Sequence, residues 1–351
     1  RVIYNWRMVD LILSRIRVRR ILSEGVCAGD LLVVEFEAAN LARRGSCSAV
    51  VVSDAISRPS GKESIRLGDE RASVFFPVVE PGEAEIQSYQ GRLMERGRYR
   101  FGPFQTSTRF PLGLVSRTAT VDEVQDLIVF PRPGRLLPRW KHISQAQLIG
   151  SGGARSRQGL VEGDFDGLRD YRSGDSRRWI HWRTSARRNT LAVRQFEQPR
   201  SQDIAVLLDL WLPESPSDEQ RDNVELAISF AATIAEELCR VGGNHLGVGI
   251  AGRDVNWTHG VGSRPLLTEV MEHLALAEPV ETDALPILLQ QFLGEIPHGT
   301  QTVVVSTRGV DLHDTERFAA VWDDPSLRNA LREIHVIDVT AEGFQEYFEP
   351  V

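Results

Sequence analysis

The sequence predicts an N-terminal antiparallel β-sandwich followed by a doubly wound α/β domain. Short alternating strands separated by Gly, Pro and Ser precede residue 125, and continuous apolar runs alternate with amphipathic helices after residue 204. The length of 351 residues is enough for about two domains. The predicted boundaries are 1–14 for a segment that follows a membrane anchor, 15–125 for the sandwich, 126–160 for a connector and 161–351 for the α/β region.

Composition excludes several classes of protein. The net charge of −7 argues against non-specific binding to nucleic acid. Three cysteines, Cys27, Cys47 and Cys239, are too few and too scattered for a disulfide framework. All of the 41 basic residues except Lys62 and Lys141 are arginines, which suit bidentate pairing with carboxylates. A globular protein without a disulfide framework is therefore expected. The excess of arginine over lysine is what a GC-rich genome produces, and arginine–carboxylate networks are the alternative explanation.

Aromatic residues and arginines gather at the start of the chain. Tyr4 and Trp6 precede an apolar segment, Leu11–Leu13, and arginines follow at positions 15, 17, 19 and 20. The positive-inside rule places such a pattern on the cytoplasmic side of a membrane. We therefore expect a protein held at the cytoplasmic face of the inner membrane by an anchor absent from this chain. An ordinary basic first strand is the alternative.

Alternation of apolar and polar residues predicts the sandwich. Leu32, Val34 and Phe36 fall on one face of a strand over 32–38. Turn residues separate this strand from further strands expected at 49–52, 74–76 and 98–101. Such a domain needs no active site, so its expected roles are spacing and docking. In the connector, residues 127–130 look like a strand, and the prolines that follow break regular structure.

The α/β region is predicted from buried apolar runs and helical spacing. Runs typical of buried parallel strands occupy 204–209, 245–250, 302–306 and 334–339. The apolar spacing from Val224 to Val241 predicts a long amphipathic helix, and further helices are expected at 263–277, 284–293 and 315–331. Asp209 and Ser306 stand at the carboxyl ends of two strands, where such sheets bind ligands.

One stretch is more distinctive than the rest of the chain. Residues 163–187 read GDFDGLRDYRSGDSRRWIHWRTSAR, and Val193-Arg194 follows. This stretch resembles the signature of the domain of unknown function 58 family, which runs Phe-x-x-Leu-Arg-x-Tyr, Gly-Asp, Arg-x-Ile-x-Trp, Ala-Arg and Val-Arg. Further matches lie upstream at 96–99, 101–103, 111–114 and 130–131. The resemblance covers most of the chain.

The resemblance implies a fold and a role. Family members often carry N-terminal transmembrane helices, a β-rich region and a von Willebrand factor A-like domain, and many are encoded beside MoxR-type AAA+ ATPases. It therefore implies a non-catalytic, membrane-tethered scaffold or adaptor of bacterial origin, without a cofactor. The expected partner is a protein, such as a MoxR-type AAA+ ATPase, and not nucleic acid. It is expected to bind through the Arg/Asp-rich stretch at 163–187 and the α/β domain.

The signature segment allows three interpretations. In the first, arginines pair bidentately with aspartates and nearby carbonyls and fasten an irregular crossover, which aromatic and aliphatic side chains pack down. The arginines are Arg169, Arg178, Arg183 and Arg187, the aspartates are Asp166 and Asp175, and the packing residues are Trp179, Ile180 and Trp182. In the second, surplus arginines form an anion-binding surface for a partner. In the third, His181 with Asp175 or Asp166 is the acid–base pair of a hydrolase, with Ser185 as a weak nucleophile candidate. The binding or structural residues in question are Asp166, Arg169, Tyr171, Asp175, Arg178, His181, Trp182, Arg183 and Arg187.

The resemblance also raises the question of a metal site. A von Willebrand factor A-like domain often binds a hard cation through a first loop of the form Asp-x-Ser-x-Ser, together with a Thr and a second Asp. Here Trp211 and Pro213 replace the two serines after Asp209, and Ser306-Thr307-Arg308 lacks the acidic residue. We predict a degenerate site without metal, in which Asp209 pairs with an arginine such as Arg308.

Overall fold

The computed structural model describes residues 2–23, 25–58, 72–140, 142–143, 165–171, 179–188, 190–196, 203–241 and 243–351. A β unit, residues 16–130, is followed by an α/β unit, residues 203–351. Between them lie the short strands β12 (Arg135–Leu136), β13 (Phe165–Asp170) and β14 (Ala192–Phe196), with helix α2 (Trp182–Arg188) between the last two. The chain is therefore a mixed α/β protein with several antiparallel sheets.

The described strands of the β unit form three sheets around one core. Its strands are β1 (Ile16–Ile21), β2 (Gly25–Cys27), β3 (Leu31–Asn40), β4 (Cys47–Ser53), β5 (Ile56–Ser57), β6 (Ser73–Val79), β7 (Ala84–Arg92), β8 (Gly97–Phe101), β9 (Phe104–Thr108), β10 (Arg117–Val121) and β11 (Gln125–Phe130). The sheet orders are β1-β3-β7, β10-β9-β4-β6 and β2-β11-β8-β5. Val34 and Phe36 point into the core, which confirms the alternation predicted for this strand.

The β unit has an additional helix at its start and an additional strand at its end, compared with the sandwich predicted for residues 15–125. Helix α1 (Val2–Arg15) precedes the first strand and packs Val9 and Ile12 inward, so the segment expected to follow an anchor is a helix against the β unit. Strand β11 lies inside the predicted connector and pairs with β8 and β2. No helix among the described residues combines the length and the apolar character that crossing a bilayer requires.

The N-terminal arginines do not form one exposed cluster. Strand β1 alternates, and Val18 and Arg20 point inward. Arg20 donates to both carboxylate oxygens of Asp54 at 2.6 and 3.0 Å, and neither side chain is exposed to solvent. Its guanidinium also lies 5.2 Å from the ring centroid of Phe104. The pleat of β1 therefore turns Arg20 into the core, whereas Arg17 and Arg19 of the same strand are exposed.

The α/β unit contains a five-stranded sheet with the order β17-β16-β15-β18-β19. Its strands are β15 (Ile204–Asp209), β16 (His245–Ala251), β17 (Val255–Val261), β18 (Gln301–Ser306) and β19 (His335–Asp338). All neighbours are parallel except β16 and β17. Strands β15 and β18 are buried at every position, as the continuous apolar runs predicted.

Helices cover both faces of this sheet. Helices α3 (Asp218–Val241) and α4 (Arg264–Leu276) share a core with Val206 and Leu208. Helices α5 (Leu285–Phe292), α6 (Ala319–Trp322) and α7 (Pro325–Arg332) share a second core with Leu207. The opposite orientation of successive β15 side chains therefore produces two separate cores. Short 3-10 helices lie at Leu293–Glu295 and Glu342–Glu346.

The single helix predicted over 315–331 was wrong. The chain forms α6 and α7 with a break at Asp323 and Asp324. The carboxylate of Asp324 accepts the Ser326 N–H at 2.8 Å and caps α7, whose first residue is Pro325. Proline suits the first position of a helix but interrupts one that runs through it, because it lacks an N–H.

Side-chain and strand contacts tie the α/β unit to the residues that precede it. Arg96 of the β unit donates two hydrogen bonds to the Ala277 carbonyl, at 3.0 and 3.1 Å, at the carboxyl end of α4. A cleft of about 730 Å³ opens beside Arg96, between the two units. Strand β20 (Phe348–Glu349) pairs with β12, so the last strand returns to the chain that enters the α/β unit. Phe348 packs there against Phe230 of α3.

Candidate functional site

The point where β15 and β18 lie side by side is the natural ligand position of this sheet. From β15 the chain passes through α3 to β16 on one side, whereas β18 lies on the other side of β15. At such a switch point, connections leave adjacent strands in opposite directions and open a crevice at the carboxyl ends. Asp209 and Ser306 are register partners at those ends. The two positions singled out in the sequence are therefore adjacent.

Asp209 is fully paired in this crevice. Its side chain is 1% exposed, and Oδ2 accepts the Ser306 hydroxyl at 2.9 Å and the Arg308 Nε–H at 3.1 Å. A second guanidinium, that of Arg317, lies 3.9 Å from the same oxygen. The structure contains the ion pair between Asp209 and Arg308 that the sequence analysis expected. A buried carboxylate requires such compensation, since an unpaired charge there is costly.

Asp283 joins both arginines into one cluster. Arg317 donates to its two carboxylate oxygens at 2.6 and 3.0 Å, and Arg308 donates a further hydrogen bond to Oδ1. Partial burial alone would raise the pKa of Asp283, but the hydrogen bonds and charges of the two arginines outweigh it and lower the pKa below its usual value. The hydrogen bond to Asp283 in turn raises the pKa of Arg317. Two aspartates and two arginines thus form a neutral, hydrogen-bonded group.

Trp211 and Thr307 complete the crevice. The Arg308 guanidinium lies 4.9 Å from the Trp211 ring centroid, and the indole N–H donates to the Glu281 carbonyl at 2.8 Å. The Thr307 hydroxyl donates to the Trp211 carbonyl at 2.6 Å. Pro213 follows in the same loop and is half-buried. Two residues of the predicted degenerate site, Asp209 and Trp211, therefore contact the Arg308 guanidinium.

The described residues of this crevice do not fit a divalent cation. Asp209 is a single buried carboxylate that already accepts two donors, and Trp211 and Pro213 offer no side-chain oxygen. Mg²⁺ and Ca²⁺ need several oxygen ligands. The Arg308 guanidinium occupies the cationic position beside the carboxylate. Within the described part of the chain, no group of three or more His, Cys, Asp and Glu side chains could hold a metal.

The signature segment is described in part. Asp175 and Arg178 lie outside the described residues, and so do the side chains of Asp166 and Arg169, whose backbone belongs to β13. The backbone N–H of half-buried Tyr171 donates to the Leu191 carbonyl at 2.8 Å, which continues the β13–β14 pairing. The pairings of these aspartates and arginines therefore remain predictions.

His181 and Ser185 hold helix α2 on the β13–β14 hairpin. Nδ1 of His181 lies 3.3 Å from the Thr184 backbone N and 2.9 Å from its hydroxyl, so the imidazole caps the start of α2. The Ser185 hydroxyl is buried, accepts the Ala192 N–H at 2.9 Å and lies 3.1 Å from the His181 carbonyl. Both side chains have structural partners that explain their presence.

The opposite surface of α2 is exposed. Trp182 is 65% exposed, and Arg183, Arg187 and Arg188 point to solvent. Arg183 and Arg187 lie four residues apart and therefore on one face of the helix. Neither forms an ion pair or a side-chain hydrogen bond with any described residue. We call Trp182, Arg183 and Arg187 the α2 surface. For these three residues the fastening interpretation of the segment was wrong, because Trp182 is exposed and neither arginine pairs with a carboxylate among the described residues.

The α2 surface and most of the switch-point cluster fall within one family match. Residues 167–314 match the family described as "Protein of unknown function DUF58". The DUF58 match thus includes α2, Asp209, Asp283 and Arg308, and ends just before Arg317. The description of the family assigns no activity to these residues.

Two kinds of similarity accompany the DUF58 match. The uncharacterized protein YeaD of Bacillus subtilis (strain 168) is 25% identical over 269 residues, which cover 75% of this chain and 63% of YeaD. The chain thus spans less than two thirds of that relative. Among solved structures, the CARDB domain of a Pyrococcus furiosus protein matches at 12% identity with a TM-score of 0.20, over 33% of this chain and 95% of that domain. A β-glucosidase from Listeria innocua matches at 15% identity with a TM-score of 0.21, over 32% of this chain and 16% of the glucosidase. Neither structural match indicates a function.

Proposed function

We propose that the chain is a non-catalytic scaffold or adaptor that binds a protein partner through the α2 surface. The observation that carries this proposal is the exposure of Trp182, Arg183 and Arg187 on one short helix, where neither guanidinium group has a partner among the described residues. Tryptophan and arginine are the residue types that most often dominate binding energy at protein interfaces. A complementary partner would present carboxylates around an apolar pocket.

The helix itself limits what this surface can recognise. Arg183 and Arg187 are one helical turn apart, so two carboxylates at similar spacing on a partner could pair with both. Arg187 and Arg188 also lie in the last turn of α2, where positive charge is favourable beside the helix dipole. That contribution accounts for Arg187 and Arg188 but not for Arg183 or the exposed indole of Trp182.

The α/β unit that follows α2 in the chain is proposed to be von Willebrand factor A-like. Its parallel strands, with helices on both faces and a polar cluster at the switch point, support this assignment. Because Arg308 takes the cationic position beside Asp209, partner binding at the crevice would not need a divalent cation. The resemblance to the signature family makes a MoxR-type AAA+ ATPase the proposed partner, with the protein tethered at the cytoplasmic face of the membrane.

A hydrolase centred on His181 is the alternative. Its support is weaker, because Nδ1 of His181 caps α2 and the Ser185 hydroxyl is tied to the β14 backbone. A nucleophile and its base need to face each other and an open space for substrate. Ser185 instead hydrogen-bonds backbone groups, away from the imidazole ring.

A pull-down of the chain with a MoxR-type AAA+ ATPase, with and without ATP and Mg²⁺, tests the proposal. We expect nucleotide-dependent retention that Arg183→Glu/Arg187→Glu abolishes. The matched control is Arg43→Glu/Arg44→Glu, which makes the same charge change at exposed positions of the β unit. Absence of retention under every nucleotide condition would exclude this partner. Equal loss in both double variants would exclude the α2 surface.

A further inference from the structure

Large apolar side chains are exposed at one end of the β unit. Ile3 is 75% exposed and Leu114 is 59% exposed, and residues of the same kind surround them in helix α1 and in the loop between β9 and β10. We call this set the apolar tip; it comprises Ile3, Tyr4, Trp6, Phe110, Leu112 and Leu114. These side chains are distinct from the Val9 and Ile12 face of α1, which is buried.

Specific contacts bring the two segments together. Asn5 is fully buried, and its side-chain oxygen accepts the Leu112 N–H at 3.2 Å. Arg117 of β10 forms an ion pair with Asp10 of α1. The helix also packs against β9, β10 and β4. The start of α1 and the β9–β10 loop are therefore held side by side, and their exposed apolar side chains belong to one surface.

The tip of the loop is exposed. Gly113 has a φ of +68°, and a Cβ placed on it would meet no heavy atom within 4 Å. Leu112 and Leu114 flank this glycine, and both side chains are exposed. An exposed apolar turn beside a helix with exposed Trp and Tyr suits a soft apolar phase, where no matching pocket is required.

Charge around the tip favours an anionic surface. Arg7 and Arg109 are exposed at its edge, and neither side chain has an ion-pair or hydrogen-bond partner among the described residues. The chain as a whole has a net charge of −7, so these free arginines oppose the general sign of the protein. Tryptophan and tyrosine favour the interface of a bilayer, and arginine is attracted to anionic headgroups there.

We propose that the apolar tip docks on an anionic phospholipid bilayer, with Leu112, Leu114 and Trp6 entering the interface and with Arg7 and Arg109 at the headgroups. This inference rests on the membrane-tethered part of the proposed function and identifies the surface that would face the membrane. A tip of six apolar side chains and two free arginines predicts weak, reversible and salt-sensitive binding. The α2 surface plays no part in it.

Co-sedimentation of the whole chain with vesicles tests the inference. We expect binding to phosphatidylcholine vesicles that contain phosphatidylglycerol and little binding to phosphatidylcholine alone. Trp6→Ser/Leu112→Ser/Leu114→Ser should lower the bound fraction by about tenfold or more. The matched control, Phe75→Ser/Val78→Ser/Ile86→Ser, removes three exposed apolar side chains of β6 and β7 and should bind like the wild type. Thermal unfolding verifies that both variants fold.

Three results would overturn the inference. The first is absence of wild-type binding to either vesicle. The second is an equal loss of binding in the tip and control variants. The third is self-association in lipid-free buffer that the tip variant abolishes, since the occupant would then be a second copy of the chain. The pull-down with the α2 surface variant is independent of the tip, so failure of one proposal can be told from failure of the other.

Discussion

The pairing of Arg308 with Asp209 can be tested by a double-mutant cycle. Arg308→Met removes the guanidinium, and the 1%-exposed Asp209 then keeps only the Ser306 hydroxyl at 2.9 Å and Arg317 at 3.9 Å. Breaking a fully buried ion pair costs about 3–5 kcal/mol, because one charge is left uncompensated. Arg308 is partly exposed and Arg317 retains some attraction, so we expect the free energy of unfolding to fall by about 2–3 kcal/mol.

The second single variant and the double variant measure the coupling energy between Asp209 and Arg308. Asp209→Asn removes the charge but keeps an oxygen for the Ser306 hydroxyl, so we expect a loss of about 1–2 kcal/mol. Arg308→Met/Asp209→Asn leaves no uncompensated buried charge at this position. Its loss should fall below the sum of the single losses by about 1 kcal/mol or more.

Equilibrium urea unfolding at neutral pH, followed by circular dichroism and tryptophan fluorescence, measures these differences. Arg221→Met serves as the control, because Arg221 is exposed on α3 and has no ion pair among the described residues; it should change stability by less than about 0.5 kcal/mol. Strictly additive losses, or an effect of Arg308→Met no larger than that of the control, would refute the account of the cluster.

Four further predictions follow from other contacts. Asp283 has a lowered pKa, so its stabilisation is complete near neutral pH and is lost below about pH 4; the unfolding difference between wild type and Asp283→Asn should shrink in acid. Arg20→Met should cost about 3–5 kcal/mol in urea unfolding, because Asp54 stays charged and buried, and Arg20→Met/Asp54→Asn should cost less than the sum of its parts. Arg96→Met should cost about 2 kcal/mol and speed proteolysis between the two units. Gly102→Ala should cost more than about 1 kcal/mol in thermal unfolding, because φ is +98° and the Cβ would lie 2.1 Å from a carbonyl oxygen.

Specific results would contradict each of these. A difference for Asp283→Asn that stays constant from neutral pH to pH 3 would show that its carboxylate is not stabilised by the arginines. Full additivity of the Arg20 and Asp54 variants would show that the buried pair does not act as a unit. Unchanged proteolysis of Arg96→Met would remove Arg96 from the junction, and a fully stable Gly102→Ala would show that the local backbone relaxes.

The strands and helices that could be predicted have a continuous apolar run or a regular apolar spacing in the sequence. The apolar runs of β15 and β18, and the helical spacing from Val224 to Leu238 in α3, record which faces are covered. Helix α1 lacked such a signal, because exposed Ile3 and Trp6 obscure its buried face. Edge strand β17 was also missed, since its positions are mostly half-buried. Local periodicity thus identifies an element only when burial on one face is nearly complete.

Only the part of the candidate site that lies at the ends of β15 and β18 could be predicted from the sequence. Asp209 and Arg308 could be paired from the sequence, because parallel strands place their carboxyl ends together. Asp283 and Arg317 could not, since they lie in irregular segments, just before α5 and just before α6, and carry no motif. The exposure of the α2 surface depends on how α2 sits against β14. The buried Arg20 shows the same limit, because a cluster of arginines in the sequence does not reveal which member faces inward.

The pairing of β20 with β12 determines how the α/β unit would respond to mechanical load. Tension applied through residues 350 and 351 reaches β20 first, and a ladder of two register pairs offers little resistance to stepwise opening. Phe348 would then leave its contacts with Phe230 and Phe344, whereas Gly134 would keep its hydrogen bond to Thr233 of α3. A pull from this side would therefore separate β20 from β12 and open the core beneath α3 before it disturbed the five-stranded sheet.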